Sequence, residues 1–165
     1  LFVVNHSETL LSKDQNQKYI DILCDSLINI KDFQNTNIIF IHSNADNANE
    51  CIFNKINFMV ENYKNINAFT SLDRETYLNI IYYCDCFIGN SSSGIYEVPL
   101  LKTTTLNLGN RQKGRECGNS VIHIDYVKND IIYNINNISK LENITYPYIS
   151  KDSSKAIINI LRKNI

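Results

Sequence analysis

The sequence predicts an α/β fold in which a doubly wound parallel sheet carries helices on both faces. Short runs rich in Ile, Val and Phe alternate with longer amphipathic segments, which is the pattern of consecutive β-α units. A chain of 165 residues has the usual length of one such domain. We therefore expect residues 1–165 to form a single domain.

The apolar runs and the helical spacing set the expected elements. Strands are expected near residues 1–5, 37–42, 66–69, 86–89, 103–108 and 120–124. Helices are expected between them, at 14–30, 49–63, 73–84, 92–98, 127–135 and 152–163. Asp14 and Asp73 are the predicted N-caps of the first and third helices. Ligands bind beyond the carboxyl ends of strands in such a sheet, so a site is expected in the loops that follow the strands.

Charge and composition limit the partners. Lys and Arg number 16 against 17 Asp and Glu, so no overall field attracts nucleic acid or an anionic membrane, and an anion must be bound locally. The first residues, LFVVNHS, lack the basic region of a signal peptide and are predicted to form a strand. The odd number of widely spaced cysteines predicts a reducing, cytoplasmic environment. We expect neither nucleic acid nor a membrane as partner.

Two groups of potential metal ligands are interpreted as structural. Cys84 and Cys86 form a C-x-C pair within a strand-like segment, without a second Cys or His pair, and are expected to be buried small residues. His42 lies at the end of the second predicted strand and His123 lies inside the last one. Both are assigned a structural role. No metal site is predicted.

The strongest candidate site follows the fourth predicted strand. Residues 90–94 read NSSSG at the start of a helix, where backbone N–H groups and hydroxyls bind phosphate. The alternative is that the serines only cap the helix. Glu97, about one and a half turns further on, could accept hydrogen bonds from a ribose diol. Its alternative is an ordinary surface carboxylate.

Two further loops are expected to join this site. Residues 109–116, after the next strand, read GNRQKGRE and carry the cations Arg111, Lys113 and Arg115, of which an arginine can fork onto phosphate oxygens. The alternative is a solvated turn. His6 ends the first strand at the same edge and could act as acid, base or phosphate ligand.

These loops resemble the signature of a known family. Residues 88–94 read IGNSSSG, Glu97 follows, and 107–116 read NLGNRQKGRE. This order is similar to the IGNSS-G-x-x-E … N-x-G-x-RQ-x-GR signature of the hydrolysing UDP-N-acetylglucosamine 2-epimerases. Residues 43–46 resemble the family's S/P-N-x-D element, and His6 stands where the family has a His that is usually followed by Pro, here Ser7. The resemblance spans almost the whole chain.

The resemblance implies a Rossmann-like domain, the second half of a GT-B-like two-domain fold, that binds a UDP-sugar. The implied reaction eliminates UDP through loss of the sugar C2 proton and adds water to release N-acetylmannosamine for sialic-acid-type sugars, without cofactor. The carboxylates that move the proton would belong to a first domain, which is absent here. The implied contacts are diphosphate for Ser91 and Ser92, ribose for Glu97, the phosphate side for Arg111 and Asn44, uracil for Leu72, and diphosphate and sugar for His6.

Three other interpretations stay open from the sequence. The enzyme could act on another UDP-sugar, such as UDP-N,N'-diacetylbacillosamine for legionaminic acid, because the pyranose is read mostly by the absent domain. A GT-B glycosyltransferase would bind a nucleotide sugar in the same crevice, although the RQ-x-GR loop disfavours it. The chain could also be a non-catalytic nucleotide-binding module. The implied partners are the first domain and, for the full-length protein, further copies of itself.

Overall fold

Six parallel strands form one sheet in the part of the chain that the structure describes. The computed structural model describes residues 1–42, 49–139, 141–148 and 152–163. Strands run in the order β3-β2-β1-β4-β5-β6, so the predicted doubly wound parallel sheet is confirmed. Their bounds are β1 (Phe2–Val4), β2 (Ile38–Ile41), β3 (Ile66–Phe69), β4 (Cys86–Gly89), β5 (Thr104–Leu108) and β6 (Val121–Ile124).

Helices connect these strands close to the predicted positions. They are α1 (Lys13–Leu27), α2 (Asn49–Asn62), α3 (Arg74–Tyr83), α4 (Ser93–Tyr96), α5 (Lys128–Asn136) and α6 (Ser153–Lys163), with short 3₁₀ helices at Phe33–Asn35 and Val98–Leu101. None of the helices within the described ranges has the length and apolar character needed to cross a membrane.

The cap predicted at Asp73 is confirmed and the one at Asp14 is wrong. Asp73 accepts a hydrogen bond of 2.9 Å from the backbone of Thr76. Helix α1 instead begins after Ser12, which exchanges hydrogen bonds with Gln15 in a capping box. Asp14 lies in the first turn, where the positive end of the helix still favours a carboxylate.

The helix predicted over 92–98 is interrupted. Helix α4 ends at Tyr96, and the chain continues as the 3₁₀ helix Val98–Leu101. Pro99 explains the break, because it lacks a backbone N–H and its ring would clash with the carbonyl four residues earlier in a continuing α-helix. Glu97 therefore lies at the end of α4 rather than inside a longer helix.

Strand β1 is buried on both faces. Val3 packs into a cluster with residues of α1, α2 and α5. Phe2 and Val4 point to the other face, where they pack with Phe87 and with Ile81 of α3. The alternation follows from the two-residue period of a strand. It places the two sets of helices on opposite sides of the sheet, as in a doubly wound fold.

Gly89 sits where β4 approaches β1 most closely. Its φ is +138°, and a Cβ atom there would lie 2.1 Å from the carbonyl oxygen of Val4. A side chain would therefore require two central strands to separate, in addition to straining the backbone at Gly89.

We expect Gly89→Ala to lower the free energy of unfolding by about 3 kcal/mol or more, because backbone strain is joined by a clash with Val4. Gly114→Ala is the matched control, since Gly114 also has a positive φ but a Cβ there would meet nothing within 4 Å. It should cost about 1 to 2 kcal/mol. Urea denaturation measures both, and equal losses would contradict a close approach at Gly89.

Candidate functional site

The candidate site lies where the order of the strands reverses. Strands β1 and β4 are neighbours, yet the helices that follow them pack on opposite faces of the sheet. The loops at their carboxyl ends therefore diverge and leave a crevice between them, which is the usual ligand position in open α/β sheets. His6 follows β1, and the serines at 91–93 follow β4.

The side chain of Asn90 links the two loops at this point. Its Oδ1 accepts a hydrogen bond of 2.7 Å from the backbone N–H of His6, and its Nδ2 donates at 2.8 Å to the carbonyl of the same residue. Asn90 is fully buried. The amide thus forms hydrogen bonds with both the backbone N–H and the carbonyl of His6, and it fixes the position of the β1 loop relative to β4.

The backbone of Asn90 ties in the cationic loop that follows β5. Its carbonyl oxygen accepts hydrogen bonds from Nη1 of Arg111 at 3.1 Å and from Nε2 of Gln112 at 2.8 Å. The expectation that the loops at 90–94 and 109–116 lie side by side at one edge of the sheet is confirmed by these contacts and by the pairing of β4 with β5.

The buried Tyr126 is hydrogen-bonded to residues that follow both β1 and β4. Tyr126 donates a hydrogen bond of 2.6 Å to Oδ1 of Asn5 and accepts one of 3.4 Å from Asn90. Its ring stacks on Tyr19 with 4.1 Å between ring centroids. Burial raises the pKa of Tyr126 far above its ordinary value, so the hydroxyl stays a neutral donor.

The serines after β4 are not accounted for by helix capping. Ser92 stands at the N-cap position of α4, but its side chain makes no capping hydrogen bond. Ser91 is buried, and its hydroxyl accepts a long hydrogen bond of 3.4 Å from the backbone of Ser93. Ser91 and Ser92 directly follow Asn90 in the loop after β4.

Glu97 is held by two neighbours at the far end of α4. It forms an ion pair with Arg74, and its Oε2 accepts a hydrogen bond of 2.5 Å from the hydroxyl of Ser93. A carboxylate has lone pairs for further donors beyond these two. Because Arg74 opens α3, this ion pair draws the β3–α3 connection toward α4.

The remaining predicted residues occupy different surroundings. Leu72, in the β3–α3 connection, packs against the apolar cluster of Phe2 and Val4. Arg111 is largely exposed and reaches Asn90 as described. Arg115 is already engaged within the protein. Its guanidinium donates a hydrogen bond of 3.1 Å to the hydroxyl of Tyr96 and lies over the ring of the same residue. Asn44 lies outside the described residues.

Sequence reasoning missed several polar residues that line or build this edge. Oε1 of Glu8 and the side-chain oxygens of Ser7 and Gln112 are buried without a hydrogen-bond partner among the described residues. Burial raises the pKa of Glu8, opposed by the nearby charge of Arg111. Gln112 and Asn90 stand inside the signature, and this position is the sequence signal that could have identified them.

A second concavity lies at the opposite edge of the sheet. It measures about 720 Å³ and is bordered by Leu1, Asn37 and Asp85, which precede the strands. The signature loops, which follow the strands, do not border it. We therefore assign the candidate site to the carboxyl edge, where the polar groups converge.

Comparison with known proteins identifies the family. A family model described as UDP-N-acetylglucosamine 2-epimerase matches residues 1–162. The polysialic acid biosynthesis protein P7 of Escherichia coli is 40% identical over 167 aligned positions, which cover 97% of this chain and 41% of that protein. The GDP/UDP-N,N'-diacetylbacillosamine 2-epimerase (hydrolyzing) of Campylobacter jejuni is 36% identical, over 70% of this chain and 29% of that protein.

Solved structures share the fold. The UDP-GlcNAc 2-epimerase of Methanocaldococcus jannaschii, in complex with UDP-GlcNAc and UDP, superposes with a TM-score of 0.74 at 17% identity. The match covers 98% of this chain and 44% of that one. The sequence thus spans about two fifths of the length of these relatives. The Rossmann-like, GT-B-type fold and the family match together support one conclusion: the chain belongs to the UDP-N-acetylglucosamine 2-epimerase family.

Proposed function

We propose that residues 1–165 form a single domain that binds the UDP part of a UDP-sugar, as one half of a hydrolysing UDP-N-acetylglucosamine 2-epimerase. The observation that supports this most directly is the junction at Asn90. There the β1, β4 and β5 loops are hydrogen-bonded to one residue at the reversal of strand order. Nucleotides bind such crevices in open α/β sheets.

In this proposal one end of the crevice binds the diphosphate and the other end binds the nucleoside. The hydroxyls of Ser91 and Ser92, with the guanidinium of Arg111, bind the diphosphate. Arg111 presents donors in a planar fork that fits phosphate oxygens. His6 lies on the β1 side of the same phosphates. Asn44 would contribute from the phosphate side of the β2 loop.

The other end holds the nucleoside. Glu97 accepts from the ribose diol, for which Arg74 and Ser93 hold the carboxylate in place. The ion pair with Arg74 also draws the turn that contains Leu72 toward α4, and this turn is the proposed wall of the uracil site. Prior fixation of Glu97 would lower the entropy lost on binding.

The proposed reaction assigns binding of the leaving group to this chain. Loss of the C2 proton expels UDP, and water then adds to the glycal to give N-acetylmannosamine. Negative charge accumulates on UDP in the elimination, so phosphate donors at Ser92 and Arg111 would favour that transition state. Proton transfer is assigned to the absent half, which leaves this chain binding without turnover by itself.

A related substrate is the second candidate. The relative from Campylobacter jejuni is named for GDP/UDP-N,N'-diacetylbacillosamine, whereas the relative with 40% identity is named for polysialic acid biosynthesis. The latter alignment is both longer and more similar, which favours the N-acetylglucosamine substrate. Product analysis of the full-length enzyme with each UDP-sugar distinguishes the two.

Helix α6 is the proposed contact with the absent half. Its described residues are all exposed, including the apolar side chains of Ile157, Ile158 and Leu161 on one stripe. A helix with such a stripe gains stability by burying it. The relatives are more than twice as long as this chain. A protein of that length has room for a first domain that would cover the stripe.

We expect Ser92→Ala to weaken binding of UDP and UMP by about 1.5 to 3 kcal/mol, the scale of a hydrogen bond to a charged group, and to leave uridine unaffected. Isothermal titration of the chain with the three ligands measures the effect. An equal loss for uridine would remove Ser92 from the phosphate end.

Glu97→Ala tests the ribose contact in the same kind of titration, with UDP and 2′,3′-dideoxy-UDP as the two ligands. Its effect should be larger for UDP than for 2′,3′-dideoxy-UDP by at least about 1 kcal/mol, because only the first offers a diol. Any change in the fold of the variant cancels in this comparison between ligands. Equal losses for both would refute the ribose role.

We expect Leu161→Asp to destabilise the two-domain protein by about 1.5 to 3 kcal/mol, the value of one buried leucine, and to leave the 165-residue chain unchanged. Thermal unfolding of both proteins is the measurement. Asn159→Asp, on the face of α6 opposite the stripe, is the exposed control. Equal stability of the two-domain protein with and without Leu161→Asp would argue against this contact, and a dimer lost on the substitution would assign the stripe to a second copy.

A further inference from the structure

A cysteine, a histidine and an asparagine form a hydrogen-bonded chain outside the candidate site. Sγ of Cys117 lies 3.2 Å from Nε2 of His123, and Nδ1 of His123 lies 3.0 Å from the side-chain nitrogen of Asn107. His123 is on β6, Asn107 is on the neighbouring strand β5, and Cys117 follows the cationic loop. From the sequence, His123 is assigned to structure, because it lies inside a predicted strand.

The buried asparagine can fix the proton on the far side of the imidazole. Asn107 is fully buried, and its Oδ1 has no hydrogen-bond partner among the described residues. In the structure the amide nitrogen faces Nδ1. With the amide turned by 180°, its oxygen faces Nδ1 and accepts the Nδ1 proton, and the amide nitrogen takes the position in which the oxygen has no partner. Nε2 is then the unprotonated nitrogen, and its lone pair faces the thiol.

The loop that carries Cys117 is held in place around the thiol. The backbone carbonyl of Glu116 accepts a hydrogen bond of 2.5 Å from Tyr148. On the other side, Asn119 and Thr145 exchange hydrogen bonds of 3.1 and 2.8 Å. The thiol is therefore kept at the imidazole, while Cys117 stays partly accessible to solvent.

The other cysteines have different surroundings. Burial raises the pKa of Cys24 to about 12 and that of Cys84 to about 11, and it raises the pKa of Cys86 still further. Cys51 is partly exposed, but burial raises the pKa of its thiol as well. Thiolate is the nucleophilic form, so these four thiols are poor nucleophiles at neutral pH.

We propose that Cys117, activated by His123 and oriented through Asn107, is a nucleophilic thiol that undergoes exchange with low-molecular-weight disulfides. His123 takes the thiol proton at Nε2, and the thiolate attacks one sulfur of the disulfide. A bond forms between Sγ and that sulfur as the original S–S bond breaks. The departing thiolate takes the proton from His123, so one thiol is released for each mixed disulfide formed.

Space for the added group exists beside the histidine. His123 borders a pocket of about 370 Å³ together with Gly109, Lys113 and Arg115 of the cationic loop. Cys117 does not border this pocket itself, so an adduct on its sulfur would enter the pocket by extending past the imidazole. The modification site therefore adjoins the loop that bears Arg111, but the proposal does not depend on nucleotide binding.

The test follows the reaction of the purified chain with excess 2-hydroxyethyl disulfide, a neutral reagent. Peptide mass mapping at timed intervals gives the rate at each cysteine. Cys117 should react at least about tenfold faster than Cys51 and Cys84, the other two partly exposed thiols. Chain unfolded in urea provides the reference in which all 5 thiols are exposed. Equal rates at Cys117 and Cys51 in the folded chain would overturn the proposal.

Two variants separate activation from mere exposure. His123→Ala and His123→Gln should each slow modification of Cys117 by about tenfold, because the proton acceptor is lost, while the rate at Cys51 stays the same. His123 is exposed on an edge strand, so both variants are expected to fold, which the urea midpoint checks. Cys117→Ser should abolish the fast phase. An unchanged rate at Cys117 in both histidine variants would overturn the role of His123.

Discussion

The buried amide of Asn90 is the contact on which the arrangement of the carboxyl edge depends. It occupies the reversal of strand order, where the β1 and β4 loops diverge and no ladder hydrogen bonds can join them. The amide replaces that missing pairing by satisfying both backbone groups of His6. Without it, each of these groups would stay unsatisfied at a cost of about 1 to 3 kcal/mol.

Asn90 also holds the cationic loop, residues 109–116, in position. Because the carbonyl of Asn90 accepts from Arg111 and Gln112, the position of the guanidinium is tied to the position of the serines that follow Asn90. Helix α4 is also held from both sides, by Arg115 stacked on Tyr96 and by Arg74 paired with Glu97. The proposed phosphate and ribose ends are thus spaced by contacts within the protein, as preorganised binding requires.

The sequence predicts the sheet well because its signals are local. Apolar runs identify the six strands within one residue at each end, since buried parallel strands are mostly apolar. The helix expected over 92–98 stops before Pro99 but is two residues too long, because helical spacing does not mark the change to a 3₁₀ helix at Val98. Contacts between distant segments were not readable: nothing in the sequence joins Tyr126 to Asn5, or Arg74 to Glu97. The family signature contains the loop residues of the candidate site, Asn90 and Gln112 among them, but the contacts by which these two amides hold the loops together are seen only in the fold.

The most direct test of the nucleotide-binding account is an amide chemical-shift titration of the isotope-labelled chain with UDP. The account predicts that the largest changes occur at residues 6–8, 90–93 and 109–112, which surround the Asn90 junction. Amides near Leu1, Asn37 and Asp85, at the concavity on the opposite edge, should stay unchanged. Changes confined to that opposite edge, or none at millimolar UDP, would contradict the assignment of the site.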